Sequence, residues 1–205
     1  MKKIAVAGIG TMVGKTVISA IICERFGATY WKPVLSGLDD EPSDTSRVAS
    51  LITNGEARVF PESHAFRRSL SPHIAASLEG ITIKLSSFKL PKTECPLVVE
   101  LAGGVLVPLN EEHTNRDLIQ HLNLPVVVVS RHYLGSINHT LLSLEAMQAR
   151  GIEVLGVIFN GEPLPDTERI IEKLSGAKIL ARIPTMAEVT AATVRSIAEQ
   201  MDLWW

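Results

Sequence analysis

Residues 8–16 read Gly-Ile-Gly-Thr-Met-Val-Gly-Lys-Thr, between an apolar run at residues 3–7 and a helical pattern at residues 15–25. Glycines in such a strand–loop–helix turn let the backbone approach phosphate groups closely, and the start of the helix adds positive potential. Lys15 would reach the β- and γ-phosphates, and the Thr16 hydroxyl would ligate Mg²⁺. This stretch therefore predicts an ATP or GTP site.

The spacing of the loop is unusual, because five residues separate Gly8 from Gly14 where the common phosphate-binding loop has four. The alternative is a glycine-rich turn in which the Lys-Thr pair is incidental. A strand before the loop and a helix after it favour the nucleotide site.

Apolar runs and helical patterns alternate along the rest of the chain, and the four valines at residues 126–129 are typical of a strand buried on both faces. Strands are predicted at residues 3–7, 29–33, 97–101, 125–130, 154–160 and 178–183, and helices at residues 15–25, 43–52, 71–79, 116–121, 136–150, 167–174 and 189–200. This order predicts one α/β domain over residues 1–205, a mainly parallel sheet with helices on both faces. Together with the phosphate-binding loop at residues 8–16, it leads us to expect the three-layer P-loop NTPase fold. Residues 39–96 are the least regular and are predicted to lie over one edge of the sheet.

Composition excludes several classes of protein. The 205 residues contain 20 Lys and Arg against 22 Asp and Glu without a basic block, so neither nucleic acid nor a membrane is predicted as a partner. Two cysteines, Cys23 and Cys95, are too few for a disulfide framework and are typical of a reducing cytoplasm. The apolar runs are too short for a signal segment or a membrane span, so a cytoplasmic location is expected. The histidines lack the spacing of zinc ligands.

Three charged residues could complete the nucleotide site. Glu100 ends an apolar strand at the edge where open α/β sheets bind ligands, and it could hold a metal or be a rim carboxylate in water. Asp44 could hold the same metal or only cap the helix that follows it. Lys32 at the tip of the second strand could stabilise transferring negative charge or be an ordinary surface lysine.

Several motifs together resemble the dethiobiotin synthetase family. The loop at residues 8–16 is shared with many ATPases, but Lys32-Pro33-Val34-x-Ser36-Gly37 and Leu134-Gly135-x-Ile137-Asn138-His139 are much narrower signals. The likeness continues in order through Ser71-Pro72-His73, Val99-Glu100-x-Ala102-Gly103-Gly104 and Asn160, and so covers nearly the whole chain. The alternative is a nucleotide-switch ATPase of the partition and cell-division type that acts through a protein partner. Residues 9–12 disfavour it, because they lack the second lysine that such switches often carry early in the loop.

The resemblance implies an ATP- and Mg²⁺-dependent ring closure with 7,8-diaminopelargonate and CO₂ as substrates and dethiobiotin, ADP and phosphate as products. It also implies a homodimer in which the start of the helix at residues 136–150 binds the substrate carboxylate across the subunit boundary. Without the resemblance, the same residues predict only a serine-capped helix start.

The resemblance also implies roles for individual residues. Lys32 is implied as the catalytic lysine, and Thr16, Asp44 and Glu100 as the Mg²⁺ ligands. Nucleotide contacts are implied for Met12, Val13, Gly14, Lys15, Thr16, Val17, Asp44, Glu100, Leu101, Ala102, Gly103, Asn160, Gly161, Pro184, Thr185 and Met186. Substrate contacts are implied for Thr11, Ser36, Ser136, Ile137 and Asn138.

Some residues depart from the family pattern. Gly10 and Met12 stand where the family usually has an aspartate and a glutamate, and Leu101 stands where glycine is common. Loss of the carboxylate at residue 12 predicts either lower turnover or compensation by another group, and the bulk of Leu101 is expected to narrow the approach to the nucleotide. The terminal Trp204-Trp205 pair predicts a docking or packing feature rather than a cofactor contact.

Overall fold

A parallel β-sheet lies at the centre of the molecule, and the computed structural model describes residues 2–39 and 42–201. Within these residues the strands are β1 (Lys3–Gly8), β2 (Thr29–Trp31), β3 (Val34–Ser36), β4 (Val59–Phe60), β5 (His64–Phe66), β6 (Leu97–Gly104), β7 (Val126–Arg131), β8 (Val154–Asn160) and β9 (Ile179–Ile183). The helices are α1 (Lys15–Phe26), α2 (Asp44–Leu51), α3 (Pro72–Leu78), α4 (Asn115–Leu122), α5 (Ser136–Gln148), α6 (Pro165–Ser175) and α7 (Ala191–Gln200).

Seven of the described strands form one sheet in the order β4-β2-β6-β1-β7-β8-β9, and every neighbouring pair is parallel. The chain moves to one side of β1 to form β2 and β4, and it returns through β6 to form β7, β8 and β9 on the other side. Right-handed crossovers therefore place helices on both faces. Helices α1, α2 and α7 contact one another on one face, and α5 contacts α6 on the other. The predicted three-layer α/β fold is confirmed.

The central strands are apolar because helices cover both of their faces. Val6 of β1 and Val128 of β7 are fully buried, and they belong to the same core as Ile18 and Ile21 of α1. Since all the strands of this sheet run in parallel, their carboxyl ends meet at one edge, and the loops that follow them converge there.

The largest departure from the predicted elements follows the second strand. This strand was predicted to reach residue 33 but ends at Trp31, because Pro33 has no N–H to continue a strand ladder. The chain then leaves the main sheet as β3, which pairs with β5 in a separate two-stranded sheet. Strand β4 adds to the main sheet beside β2, so part of the irregular region does lie at one edge, as predicted.

The ends of the other predicted strands and helices differ from the observed ends by three residues or fewer. The Trp204-Trp205 pair lies outside the described residues. Among the helices that are described, none combines the length and the apolar character that crossing a membrane requires.

Leu97 tests the packing of the central sheet, because it is fully buried in β6 between β1 and β2. We expect Leu97→Ala to lower the free energy of unfolding by about 2–5 kcal/mol, since it removes buried methyl groups and leaves a cavity. Leu174→Ala on α6 is the matched control, because Leu174 is 62% exposed, and it should change the same quantity by less than about 0.5 kcal/mol. Urea unfolding followed by circular dichroism measures both, and equal losses would contradict this view of the core.

Candidate active site

An open cavity of about 730 Å³ lies at the carboxyl edge of the sheet. Many of its lining residues are ones that the sequence predicts for nucleotide, metal or substrate contacts: Thr11, Met12, Gly14, Lys15, Thr16, Val17, Lys32, Ser36, Asp44, Glu100, Ala102 and Gly103. The other lining residues are Leu35, Arg47, Ser69, Leu70, Ser71, Pro72 and Val107. The fold therefore brings the first group together from segments that are far apart in the sequence.

The loop between β1 and α1 forms one wall of this cavity. Gly14 has a φ of 95°, a backbone conformation that residues with a Cβ rarely adopt, and a Cβ here would also have to displace the Asn160 amide. Asn160 Nδ2 donates a hydrogen bond to the Val13 carbonyl at 2.9 Å, which ties the loop to the end of β8. Lys15 Nζ donates to the Gly10 carbonyl at 2.9 Å. The protein's own contacts thus fix the shape of the loop.

Met12 and Leu101, which depart from the family pattern, are placed very differently. Met12 lies on the loop with a φ of 56° and is 84% exposed, so it brings an uncharged thioether to the cavity mouth. Leu101 is buried in the core, because successive side chains of a strand point to opposite faces and Glu100 is the one that lines the cavity. The expectation that Leu101 narrows the approach to the nucleotide is therefore wrong.

A group of polar side chains that we call the Lys32 cluster adjoins the cavity; it consists of Thr16, Tyr30, Lys32, Asp44 and Glu100. Lys32 Nζ lies 2.6 Å from Asp44 Oδ2 and 3.0 Å from Glu100 Oε1. Thr16 Oγ1 lies 2.8 Å from Asp44 Oδ1 and 3.0 Å from Glu100 Oε1, and its one hydrogen serves one of these acceptors at a time. The Tyr30 hydroxyl donates to the other oxygen, Glu100 Oε2, at 3.0 Å.

Burial and charge act in opposite directions on the pKa values of Lys32 and Asp44, and in the same direction on the pKa of Tyr30. Burial would lower the pKa of Lys32, but the carboxylates of Glu100 and Asp44 outweigh it and raise the pKa above its ordinary value. Burial would raise the pKa of Asp44, but the Lys32 ammonium outweighs it and lowers the pKa. Burial raises the pKa of Tyr30, and the charge of Glu100 adds to the effect, so the phenol stays protonated. At neutral pH, Lys32 is therefore a cation and Tyr30 a hydrogen-bond donor.

Lys15 is a second buried ammonium near the cluster. Burial lowers the pKa of Lys15 to about 8, although the Glu100 carboxylate opposes this shift. An anionic ligand beside Lys15 would favour its charged form and raise the pKa again. The side chain is therefore suited to pairing with a phosphate.

The sequence left two roles open for each of Glu100, Lys32 and Asp44, and their burial and contacts bear on the choice. Glu100 is 1% exposed and Lys32 is 5% exposed, so neither is a side chain in open water. Ser43 is the N-cap of α2, where its hydroxyl accepts a hydrogen bond from the Ser46 N–H at 3.1 Å. Asp44 is thus not the helix cap, and its carboxylate faces Lys32 instead.

The side-chain oxygens of Thr16, Asp44 and Glu100 are a donor set that fits Mg²⁺. This ion prefers oxygen ligands and is usually held by one or two carboxylates together with the phosphates of a substrate. Residues 2–39 and 42–201 contain no group of three His, Cys, Asp or Glu side chains that could hold a metal by themselves. Phosphate oxygens would have to complete the coordination.

The predicted contacts at Asn160, Gly161, Pro184, Thr185 and Met186 lie together, outside the cavity lining. The Gly161 N–H donates to the carbonyl of the residue before Pro184 at 2.9 Å, which brings the two segments side by side. Pro184 and Thr185 are exposed there, and Met186 packs partly against the core. Asn160 connects this surface to the phosphate loop.

The predicted substrate contacts at the start of α5 also lie outside the cavity lining. Gly135 precedes the helix with a φ of 101°, Ser136 is buried, and Ile137 and Asn138 are exposed. Leu134 is fully exposed beside them. The structure therefore does not bring these residues to the Lys32 cluster of the same chain.

Tyr30 and Arg47 are among the residues of the site that were not predicted from the sequence. Tyr30 contacts Glu100, but a tyrosine in an apolar strand is typical of a core residue and gives no functional signal. Arg47 lines the cavity three residues after Asp44, on the same face of α2. A single arginine in a helical pattern does not by itself indicate a functional role. Its spacing of three residues from Asp44 was the available sign that both side chains face the same site.

Known proteins resemble this chain in sequence. The family described as "AAA domain" matches residues 2–193. A relative from Christiangramia forsetii, named ATP-dependent dethiobiotin synthetase BioD, is 46% identical over 199 residues, which are 97% of this chain and 95% of the relative. Relatives with the same name from Nitrobacter hamburgensis and Brucella ovis are each 45% identical, over 94% and 92% of this chain and 91% and 88% of their own length.

Solved structures resemble the chain in fold at much lower identity. The septum site-determining protein MinD from Pyrococcus horikoshii OT3, complexed with Mg-ADP, has a TM-score of 0.59 at 13% identity and covers 98% of this chain and 96% of its own. A ParA family ATPase from Chlorobium tepidum TLS has a TM-score of 0.53 at 13% identity and covers 97% of this chain and 98% of its own. Likeness at this identity shows the fold alone, whereas the sequence relatives confirm the family that the motifs indicated. The chain belongs to the ATP-dependent dethiobiotin synthetase family.

Proposed function

We propose that this protein converts 7,8-diaminopelargonate, CO₂ and ATP into dethiobiotin, ADP and phosphate, a step of biotin synthesis. The sequence relatives are named for this activity. The supporting observation in the structure is the Lys32 cluster beside a phosphate-binding loop in one cavity. One substrate amine captures CO₂ as a carbamate, and a carbamate oxygen attacks the γ-phosphorus as ADP leaves. The second amine then attacks the carbonyl of the mixed anhydride, phosphate leaves, and the cyclic urea closes.

The phosphate loop positions the triphosphate for this transfer. Backbone N–H groups at the start of α1 and the Lys15 ammonium provide the positive potential that phosphates need. Lys15 already reaches across the loop to the Gly10 carbonyl, so its ammonium lies inside the turn that would surround the phosphates. Phosphoryl transfer depends mainly on such positioning and on charge compensation.

Lys32 compensates charge rather than moving a proton. Its raised pKa keeps the ammonium protonated, which makes it a poor general base. The carbamate and the γ-phosphate are both anions and repel each other, so an ammonium at their junction lowers the barrier to their approach. Glu100 and Asp44 hold that ammonium in place from two sides.

Thr16, Asp44 and Glu100 would hold the Mg²⁺ ion of the ATP complex, and the ion would supply further charge compensation at the phosphates. Asp44 is anionic at neutral pH because the Lys32 ammonium lowers its pKa, so it remains able to bind a cation. The hydroxyl of Thr16 lies within hydrogen-bond distance of both carboxylates, which sets the three oxygen donors around one point.

The other half of the cavity suits the diamine substrate. Ser36 Oγ is buried and has no hydrogen-bond partner among the described residues, so it is available to an amine or carbamate. Leu35, Leu70 and Pro72 give the same region an apolar wall on which an aliphatic chain can lie.

The start of α5 would bind the carboxylate of the substrate held by a second copy of the chain. Helix N-termini attract anions through unpaired N–H groups, but Ile137 and Asn138 are exposed and lie away from the cavity of their own chain. Leu134 is fully exposed beside this point, and Leu106 and Leu142, each 53% exposed, line one depression together with His139 of the same helix. Such a patch is typical of a protein interface. We therefore infer a homodimer.

The cytoplasm is the compartment that we infer for this reaction. Cys23 is buried and Cys95 is exposed, and both are free thiols. Unpaired cysteines are typical of a reducing compartment.

ADP release measured with each co-substrate varied tests the proposed activity. We expect release to require both 7,8-diaminopelargonate and bicarbonate, because the phosphoryl acceptor is the carbamate that they form together. Dethiobiotin detected by mass spectrometry should equal the ADP released. ADP release that ignores the diamine, or that only a protein partner stimulates, would favour the nucleotide-switch alternative.

Lys32→Ala tests the assigned charge compensation. We expect the single-turnover rate of ADP formation to fall by about 10²–10³-fold, while the Kd for ADP changes by less than about threefold. Lys32→Arg is the matched control that keeps the charge, and thermal unfolding checks that the two unpaired carboxylates do not unfold the alanine variant. An unchanged single-turnover rate in Lys32→Ala would remove Lys32 from the reaction.

Asn138→Asp tests the start of α5, because a new negative charge there repels the substrate carboxylate. We expect the KM for 7,8-diaminopelargonate to rise about tenfold or more with the KM for ATP unchanged. Gln148→Glu, at the other end of the same helix, is the control and should leave both KM values unchanged.

Mixing tests whether that contact crosses between subunits. In a dimer of one Lys32→Ala chain and one Asn138→Asp chain, one of the two sites keeps both native residues. At a diamine concentration well below the KM of the Asn138→Asp chain, the mixture should therefore be more active than either variant alone. A fully active monomer would contradict the dimer proposal.

A further inference from the structure

The two oxygens of the Glu100 carboxylate have different partners. Oε1 lies 3.0 Å from both Lys32 Nζ and Thr16 Oγ1, on the side of the cavity. Oε2 accepts a hydrogen bond from the Tyr30 hydroxyl at 3.0 Å. Both Glu100 and Tyr30 are buried, so this bond has no competition from bulk water.

The sheet explains why Tyr30 reaches this carboxylate. Tyr30 and Lys32 are two residues apart, so they point to the same face, and β2 lies next to β6. Trp31 between them points to the other face, where its indole Nε1 donates to the Pro61 carbonyl at 3.1 Å. The two neighbouring aromatic residues of β2 therefore have different partners: Tyr30 contacts the Lys32 cluster on one face, and Trp31 contacts the Pro61 carbonyl on the other.

We propose that Tyr30 is a positioning residue that acts through Glu100. By holding Oε2, it makes Oε1 the one oxygen that Glu100 presents to Thr16, Lys32 and a bound Mg²⁺ ion. A carboxylate without this bond can turn about its last C–C bond and offer either oxygen, or both, to its cationic partners. Tyr30 removes that freedom before the cation arrives, which is how a supporting hydrogen bond strengthens a metal site. The inference rests on the proposed Mg-ATP site.

Tyr30→Phe tests the proposal, because it removes the hydroxyl and keeps the ring. Mg²⁺ is titrated into the chain saturated with ADP, in the absence of the diamine, and its Kd is measured by calorimetry. We expect this Kd to rise about tenfold in Tyr30→Phe. The Kd for ADP measured in EDTA should stay within about twofold of the parent chain, because the phosphate loop is untouched. In the catalytic assay, kcat should fall while the KM for 7,8-diaminopelargonate stays the same.

Trp31→Phe is the matched control, because it removes an indole hydrogen bond from the same strand on the opposite face. It should lower the melting temperature without changing the Kd for Mg²⁺. A double-mutant cycle gives a second measurement: in a Glu100→Ala background, which leaves the Tyr30 hydroxyl no side-chain acceptor at residue 100, adding Tyr30→Phe should have no further effect on the Kd for Mg²⁺.

Three results would overturn the proposal. One is a Kd for Mg²⁺ in Tyr30→Phe within about twofold of the parent value, and another is an equal loss of ADP affinity in EDTA. The third is a Tyr30→Phe chain that does not fold, because the hydroxyl would then serve stability. These measurements involve no diamine, so they are independent of the ring-closing activity. A parent chain that makes no dethiobiotin but shows the expected change in Mg²⁺ affinity would refute the proposed function alone.

Discussion

The Lys32 ammonium is buried, and a buried charge costs several kcal/mol unless nearby groups compensate it. Here the compensation comes from two carboxylates, Glu100 on β6 and Asp44 at the start of α2. The three side chains can meet only when β2 lies beside β6 in the assembled sheet. The same pairing that permits the burial also fixes the charge of the ammonium, so the stability of this region and its chemistry depend on one interaction.

The sequence predicts those parts of the structure whose pattern is contained in a few neighbouring residues. The glycine-rich turn at residues 8–16 and the valine run at residues 126–129 carry their patterns in a few neighbouring residues. Strands β3, β4 and β5 have only two or three residues each, too few to show a period, and distant segments set their pairing. For the same reason the role of Tyr30 was not predictable, since only its tertiary partner distinguishes it from a core tyrosine.

The fold of this molecule does not by itself identify its activity. Proteins of the partition and septum-site classes share its architecture at 13% identity. One fold can host many reactions, and the reaction depends on side chains at the functional edge. The role of Asp44 shows why such side chains are hard to assign from sequence. Either Ser43 or Asp44 could cap α2, and the backbone conformation at Ser43 decides which of them does. Once the cap is assigned to Ser43, the Asp44 carboxylate belongs to the charged cluster.

The hydrogen bond from Asn160 to the Val13 carbonyl joins residues 147 positions apart in the chain. It links the phosphate loop to the surface formed by Gly161 and residues 184–186, for which the sequence resemblance implies further nucleotide contacts. Because this bond and the one from Lys15 to the Gly10 carbonyl already hold the loop in shape, the loop has little conformational entropy left to lose when a nucleotide binds. More of the free energy of phosphate contact would then appear as affinity, because the loop is preorganised.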